Sequence, residues 1–394
     1  MKKKKLMMVL ISQMCLTGAA LAQTAAPPVP TGAKPPPSGT GVQIYGLVTE
    51  GVTVVNNQAG GASLHTVGNS PLAQSFLGFR GREDLGDGMA AVFRLETLIA
   101  ADTGVAGNTV AGTGKFWNRQ AFVGLTALDG AVSVTAGRQF AAATDRVVRS
   151  LDPYNVGGNL VATTPMALFG VNRYYTATAT GTTGTDSRVD NSVKLRVNGP
   201  NGFTAAVSGS PSEGEGRNLS LDLAQETKDY TVGTYYTNYR HPNVLANGSV
   251  PNNTVYGLGG NVLIGPVRLY LNLLHSSIDS TTIGQAAQVD KLFASGLSWL
   301  ISPQWVYRLE YTHDQGNNVI TGATAAAKHV STNGAKKTWV TSIDYYFSKR
   351  TSVYATLFNN RYTDGYLYEA LNTSVRPAGV ASSTGYSVGL QTTF

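Results

Sequence analysis

An all-β chain forming a transmembrane antiparallel β-barrel of about 16 strands is the fold this sequence predicts. Three observations lead there: two-residue alternation in segments of strand length, connections that are short and long by turns, and no stretch approaching the roughly 20 unbroken apolar residues of a membrane-spanning helix. The alternation is clearest at residues 385–394. Tyr386, Val388, Leu390 and Phe394 share one face, and Ser387, Gly389, Gln391 and Thr393 the other. Such a strand meets two solvents, and a last strand of this kind has to close on the first. Any tail would obstruct closure, so the chain is expected to end at Phe394.

Taken in order, residues 1–22 read as a cleaved secretory signal peptide. Lys2, Lys3, Lys4 and Lys5 precede an apolar stretch at 6–16, which ends in Ala20-Leu21-Ala22. Cys15, the only cysteine, lies inside that segment, which leaves the exported chain without disulfides or cysteine-bound metal. Residues 23–41 hold Pro27, Pro28, Pro30, Pro35, Pro36 and Pro37 and are expected to form an extended periplasmic tether. The barrel is expected to occupy residues 42–394.

From Val42 onward, alternating segments of about 8–12 residues have the length a tilted strand needs to cross a bilayer. Tight turns rich in Gly, Pro, Asp or Asn fall at 83–87, 127–130, 198–202, 226–229, 265–266, 302–304 and 348–350. Longer polar stretches lie between them at 56–73, 98–115, 139–187, 211–217, 240–253, 277–290, 315–337 and 363–384. Short turns at one rim and long loops at the other, with an even strand count, place both termini on the short-turn, periplasmic side. Residues 338–347 put Trp339, Thr341, Ile343, Tyr345 and Phe347 on one face, with Ser342 and Asp344 opposite; residues 305–312 put Trp305, Tyr307, Leu309 and Tyr311 outward, and Arg308 with Glu310 toward water. Aromatics near strand ends suit the interfacial girdles. Residues 352–362 stay undecided, because Leu357 and Phe358 are adjacent.

Net charge is +7, but the four leader lysines supply four of those charges, and only 13% of residues are charged. A nucleic-acid partner is therefore not expected. Hydrophobic content of 42% with 45 glycines and 19 tyrosines suits strands with one wet and one apolar face.

Several segments resemble the general, non-specific trimeric porins of Gram-negative outer membranes, of the β-proteobacterial type. They are VQIYGLVTEGV at 42–52, SFLGFRGREDL at 75–85, FWNRQAFVGL at 116–125, AGRQF at 136–140, RVDNSV at 188–193 and the terminal strand. The resemblance implies a sixteen-stranded homotrimer in the cell outer membrane. Each monomer would be a channel for passive diffusion of ions and small hydrophilic solutes, in contact with the lipid bilayer and lipopolysaccharide. It also implies delivery by the outer-membrane assembly machinery, with Phe394 as the assembly signal. In that family the third external loop folds back into the barrel, and the long connection 139–187 stands where it should be.

A pore of this size selects by a transverse field between charges on the wall and on the inserted loop. By parity and by resemblance, Arg119 and Arg188 are expected to project inward, with Arg80 and Arg94 as further basic wall residues. The loop offers Asp145 and Asp152. Two departures from the family weaken cation selectivity: Phe76 and Asn155 stand where an arginine and an acid would be, and Arg146 and Arg149 add positive charge. The expected pore is weakly selective or mildly anion-preferring. A wall arginine paired with a neighbour such as Glu96 would serve solvation instead.

No catalytic or metal constellation stands out, and no cofactor is expected. His275 and Ser276 are adjacent on a strand and point to opposite faces, which argues against a hydrolase. His65, His241, His313 and His329 lack metal-ligand spacing. The alternative function is a channel tuned to one class of small solute. Tyr154, Phe169, Tyr174 and Tyr175 could then form an aromatic track, or they could simply anchor the loop. An adhesin or surface antigen is the more distant alternative.

Overall fold

The computed structural model describes residues 39–58, 61–107, 115–154, 188–211, 216–240, 244–280, 283–321, 332–369 and 378–394. The expected signal peptide, and the tether up to residue 38, lie outside them.

Sixteen strands form the wall: β1 (Gly41–Val55), β2 (Phe76–Gly86), β3 (Met89–Ala100), β4 (Gln120–Ala127), β5 (Val132–Phe140), β6 (Arg188–Asn198), β7 (Phe203–Ser210), β8 (Arg217–Glu226), β9 (Tyr230–Arg240), β10 (Asn252–Ile264), β11 (Val267–Ile278), β12 (Gln288–Leu300), β13 (Trp305–Asn317), β14 (Gly334–Tyr346), β15 (Thr351–Tyr362) and β16 (Ser382–Thr393). Each pairs antiparallel with the next, and β16 pairs with β1, so the sheet closes. Two short strands, Leu64–Gly68 and Val105–Ala106, belong to connections. Short and long connections alternate around the barrel as expected. At the β10–β11 hairpin Gly265 has φ +58 ahead of Pro266, the positive φ that a tight two-residue turn asks of its first residue.

The wall separates two solvents. On β8, Leu219, Leu221 and Leu223 are 43–47% exposed, while Asn218, Ser220 and Asp222 between them are at most 4% exposed. The apolar parity faces outward and the polar parity inward, as bilayer and lumen require. Trp305, Tyr345 and Phe347 follow one another on the outer face near the short-turn rim, with ring centroids 4.8 and 5.1 Å apart. The undecided β15 resolves: Leu357 faces outward, and Phe358 is fully buried on the inner side. There the ring of Phe358 lies over Gly385, its cross-strand partner, as Tyr45 lies over Gly78 and Tyr235 over Gly257. These flat-lying rings account for part of the high tyrosine and glycine content.

Closure depends on how β1 divides its edges. Residues 41–47 pair with β2 and residues 47–55 with β16, and the upper half borrows Leu64–Gly68 from its own connection as a second neighbour. The amide of Phe394 donates to the carbonyl of Gly46 at 3.2 Å, and the amide of Gly46 returns a bond at 3.3 Å. A Cβ at Gly46 would stand 2.6 Å from the Phe394 ring and 2.4 Å from the Phe76 carbonyl oxygen. Deleting Phe394 removes two seam bonds and should destabilise the barrel by about 1–3 kcal/mol. Gly46→Val should act more strongly, because backbone cannot yield; the fraction of heat-modifiable, fast-migrating barrel on gels checks both.

Candidate functional site

Beyond β5 the chain turns onto the inner face of the wall. Residues Ala142–Arg146 form a short helix, α1, continued by a π turn at Val147–Leu151. The first amides of a helix have no partner within it; here Ala142 N–H donates to Ser208 Oγ at 3.0 Å and Ala143 N–H to Ser220 Oγ at 2.9 Å. Farther on, Asn261 Nδ2 donates to the Ser150 carbonyl at 2.6 Å, and the Tyr154 hydroxyl lies 3.2 and 3.3 Å from the carbonyls of Arg308 and Val340. Ala143, Val147 and Leu151 pack on Tyr235, Leu274 and Leu292. Inward glycines clear the track: a Cβ at Gly259 would meet Leu151 at 3.1 Å, and one at Gly296 would meet Pro153 at 2.8 Å. Residues 141–154 thus follow the polar face from β7 to β14. Residues 155–187, including Asn155, Phe169, Tyr174 and Tyr175, lie outside the described residues.

The charges of this stretch are committed to the wall. Arg146, fully buried, bonds Asp222 at 2.9 and 3.1 Å, Glu226 at 2.9 Å, Ser150 at 3.1 Å and the Thr204 hydroxyl. The expectation that Arg146 adds free positive charge to the lumen is therefore corrected: two carboxylates of β8 neutralise it. Asp145 receives Lys194 and, at 3.4 Å, Arg196, which also bonds Asp222 at 3.0 Å. Burial pushes the Asp145 carboxyl up, but Lys194, Arg196 and Arg149 outweigh it and hold it below the usual carboxylate range. Asp152 is fully buried and accepts the Tyr154 amide at 2.7 Å, so it shapes the turn. Arg149 is exposed and makes no ion pair among the described residues.

The basic wall gathers on β2–β4. Arg80 donates to Gln43 Oε1 at 2.7 and 3.0 Å and lies 4.6 Å over the Tyr45 ring. Arg119, one residue ahead of β4, reaches Glu96 at 3.5 Å and lies 4.5 Å over Phe76; Arg94 reaches Glu96 at 3.9 Å. Two guanidinium groups therefore flank one buried carboxylate, which also accepts the Tyr45 hydroxyl beneath Arg80. Arg188 does not follow the expected parity. The ladder shifts register between Gly137 and Gln139, and Asn191 has φ +51. Val189 packs into the inner apolar cluster, so alternation sends Arg188 to the other side of the wall, where it lies 4.6 Å over Phe140.

Lys194 and Arg196 are the inward basic residues of β6, and the sequence reading missed them. Val193 and Leu195, both outward-facing and exposed, were the signal. On the far wall Arg308 bonds Asp344 at 2.6 Å, beside the buried Glu310. His275 stacks on Tyr256 at 4.9 Å, whereas Ser276 is buried on the inner face and donates to Asp290 at 3.2 Å. The two side chains do not converge.

A family model described as Gram-negative porin matches residues 8–365. The chain is 45% identical over 65 residues to outer membrane porin protein 32 of Delftia acidovorans, covering 16% of this chain and 18% of that protein. It is 27% identical over 276 residues to the major outer membrane protein P.IA of Neisseria meningitidis serogroup C, covering 66% and 58%. The matches thus span less than two thirds of these relatives' own length. Among solved structures, the anion-selective porin from Comamonas acidovorans superposes with a TM-score of 0.73 at 20% identity, over 90% of this chain and 100% of that one. A trimer form of OmpT from Vibrio cholerae gives 0.63 at 13% identity, over 91% and 100%.

The network predicts an asymmetry between two acids. Asp222→Ala leaves Arg146 and Arg196 short of a buried partner and should cost about 3–5 kcal/mol. Asp145→Asn, at a partly hydrated position, should cost about 1 kcal/mol. Denaturant unfolding of the detergent-solubilised barrel separates the two.

Proposed function

The chain belongs to the Gram-negative porin family and resides in the outer membrane, and from that premise we propose that it is a channel for passive diffusion of ions and small hydrophilic solutes. A closed barrel of about 16 strands leaves an aqueous passage that side chains do not fill. The reading includes assembly as a homotrimer, external long loops in contact with lipopolysaccharide, and Phe394 as the residue the assembly machinery reads.

One observation carries the selectivity. Arg94 and Arg119 share one carboxylate, Glu96, whereas around α1 the acids Asp145, Asp222 and Glu226 balance Arg146, Lys194 and Arg196. The β2–β4 wall is left with surplus positive charge, to which Arg149 adds. A field of that sign favours anions weakly, since hydrated charges several ångströms from the axis are screened. A constriction between the basic wall and the third loop belongs to this reading; residues 155–187 of that loop lie outside the described residues.

A channel tuned to one solute class would need a dedicated binding array. Tyr154, the described member of the aromatic candidates, has its hydroxyl tied to wall carbonyls and serves as an anchor.

Planar-bilayer recording under a potassium chloride gradient tests the proposal. The reversal potential should be small and on the anion side, and Arg119→Glu should move it toward cations. Strong cation preference in the wild type would overturn the basic-wall reading, and closed traces throughout would overturn the channel.

A further inference from the structure

The outer face of β13–β15 carries cations at its long-loop end. Lys337 on β14 and Arg361 on β15 are direct cross-strand partners, and His313 on β13 is the partner of Lys337 on its other side. Alternation puts Lys337 on the outward parity of Trp339 and Ile343, and Arg361 on that of Leu357, which is 40% exposed. Both cations are exposed, and neither makes an ion pair or a side-chain hydrogen bond among the described residues. Like charges placed directly opposite each other repel, so the ladder gains nothing from this pair.

Their height on the wall decides what they meet. Ten residues separate Lys337 from Phe347 at the short-turn rim, about 34 Å along a strand and about 25 Å in height once the strand is tilted. The apolar band of such a barrel is about 25 Å tall. Trp305, Tyr345 and Phe347 mark its lower edge, so Lys337 and Arg361 stand at its upper edge, level with lipid headgroups. The outward positions of β13–β15 hold no Asp or Glu, and the connection at 315–337 contains none in its sequence. In the connection after β15, Glu369 is fully buried and Asp364 makes no ion pair with Arg361. The positive charge is left for a partner outside the chain.

We propose that Lys337 and Arg361 form a clamp for one phosphate group of an outer-leaflet lipid of the lipopolysaccharide class, whose acyl chains lie on Trp339, Ile343 and Leu357. Adjacent strands stand about 4.8 Å apart, so a single phosphate can meet both side chains. The Lys337 ammonium acts as a point charge, and the Arg361 guanidinium presents a fork that bonds two phosphate oxygens in parallel. The phosphate supplies the negative charge that the outer wall lacks, and the acyl chains match the apolar face below; a free anion would satisfy only the first. The inference rests on the lipopolysaccharide contact of the proposed function and moves that contact from the loops to the strands.

The test uses the full chain folded in neutral detergent and titrated with bisphosphorylated lipid A or with the same lipid stripped of phosphate; native mass spectrometry reads how many lipids bind and how tightly. Lys337→Ala combined with Arg361→Ala should weaken one bound phosphorylated lipid about twenty-fivefold, roughly fivefold for each cation, and Lys337→Arg should keep the wild-type affinity. Lys349→Ala combined with Arg350→Ala removes the same charge from an exposed short turn and should leave binding unchanged. Equal weakening by the two double variants, equal binding of the stripped lipid, or displacement of the phosphorylated lipid by equimolar inorganic phosphate overturns the clamp. A wild type that binds neither lipid removes the lipopolysaccharide contact as well, whereas lipid binding that ignores the change at Lys337 and Arg361 removes the clamp alone. The heat-modifiable gel shift shows that each variant is folded, and no conduction is needed.

Discussion

Every main-chain amide and carbonyl within the hydrocarbon must find a partner inside the protein, and the seam between β16 and β1 is where a sheet meets that demand last. A sheet left open there would expose two rows of unpaired groups to lipid, at several kcal/mol for each group. β1 meets the demand by dividing its length between β2 and β16 and recruiting residues 64–68 as a further neighbour. The contact of Phe394 with Gly46 follows from the same requirement, because only a residue without a side chain lets the ring lie across the seam.

Once the wall is closed, its inner face becomes the place where charge is tolerated, and the stretch after β5 is fastened there by charge. Arg146 has no water to solvate it, so Asp222 and Glu226 hold it; removing a partner would leave a buried ion unpaired, which is why such a contact fixes position. Apolar contacts of Leu151 and Pro153 with the notches at Gly259 and Gly296 set the path between the charged fastening and the Tyr154 anchor. Position along the wall is thus specified by pairs that join distant parts of the chain.

That distinction explains what was legible in the sequence. The strands were, because lipid and water impose a period of two: Leu219, Leu221 and Leu223 against Ser220 and Asp222 read directly as outside and inside. Phe358 was not, since an inward aromatic above Gly385 looks the same as a lipid-facing one until the neighbouring strand is in place. Arg119, ahead of β4, has the parity of the outward-facing Val123 and Leu125, so alternation does not account for its approach to Glu96; Arg80 and Arg94 followed the inward parity of β2 and β3. Arg188 did not, because the bulge opposite Gly137 and the left-handed Asn191 reverse the faces between it and the rest of β6. Lys194 and Arg196 were open to the same parity argument, but their role depends on Asp145 and Asp222, to which no local periodicity connects them. Arg146 was misjudged for the same reason: a loop's register against a wall has no repeat to betray it.

The arrangement on β2 and β3 breaks a rule that sheets built for stability keep. Arg80 and Arg94 are direct cross-strand partners, and like charges facing each other across a ladder repel. The repulsion is contained by placing each cation on a different support: Arg80 on Gln43 and the Tyr45 ring, Arg94 on Glu96. Apolar or uncharged residues there would hold the wall together with less strain, as Ser and Asn do at inward positions of β8. Local conflicts of this kind concentrate where a protein uses a group for something other than folding. The juxtaposed guanidinium groups are therefore the part of the inner wall that stability alone does not explain.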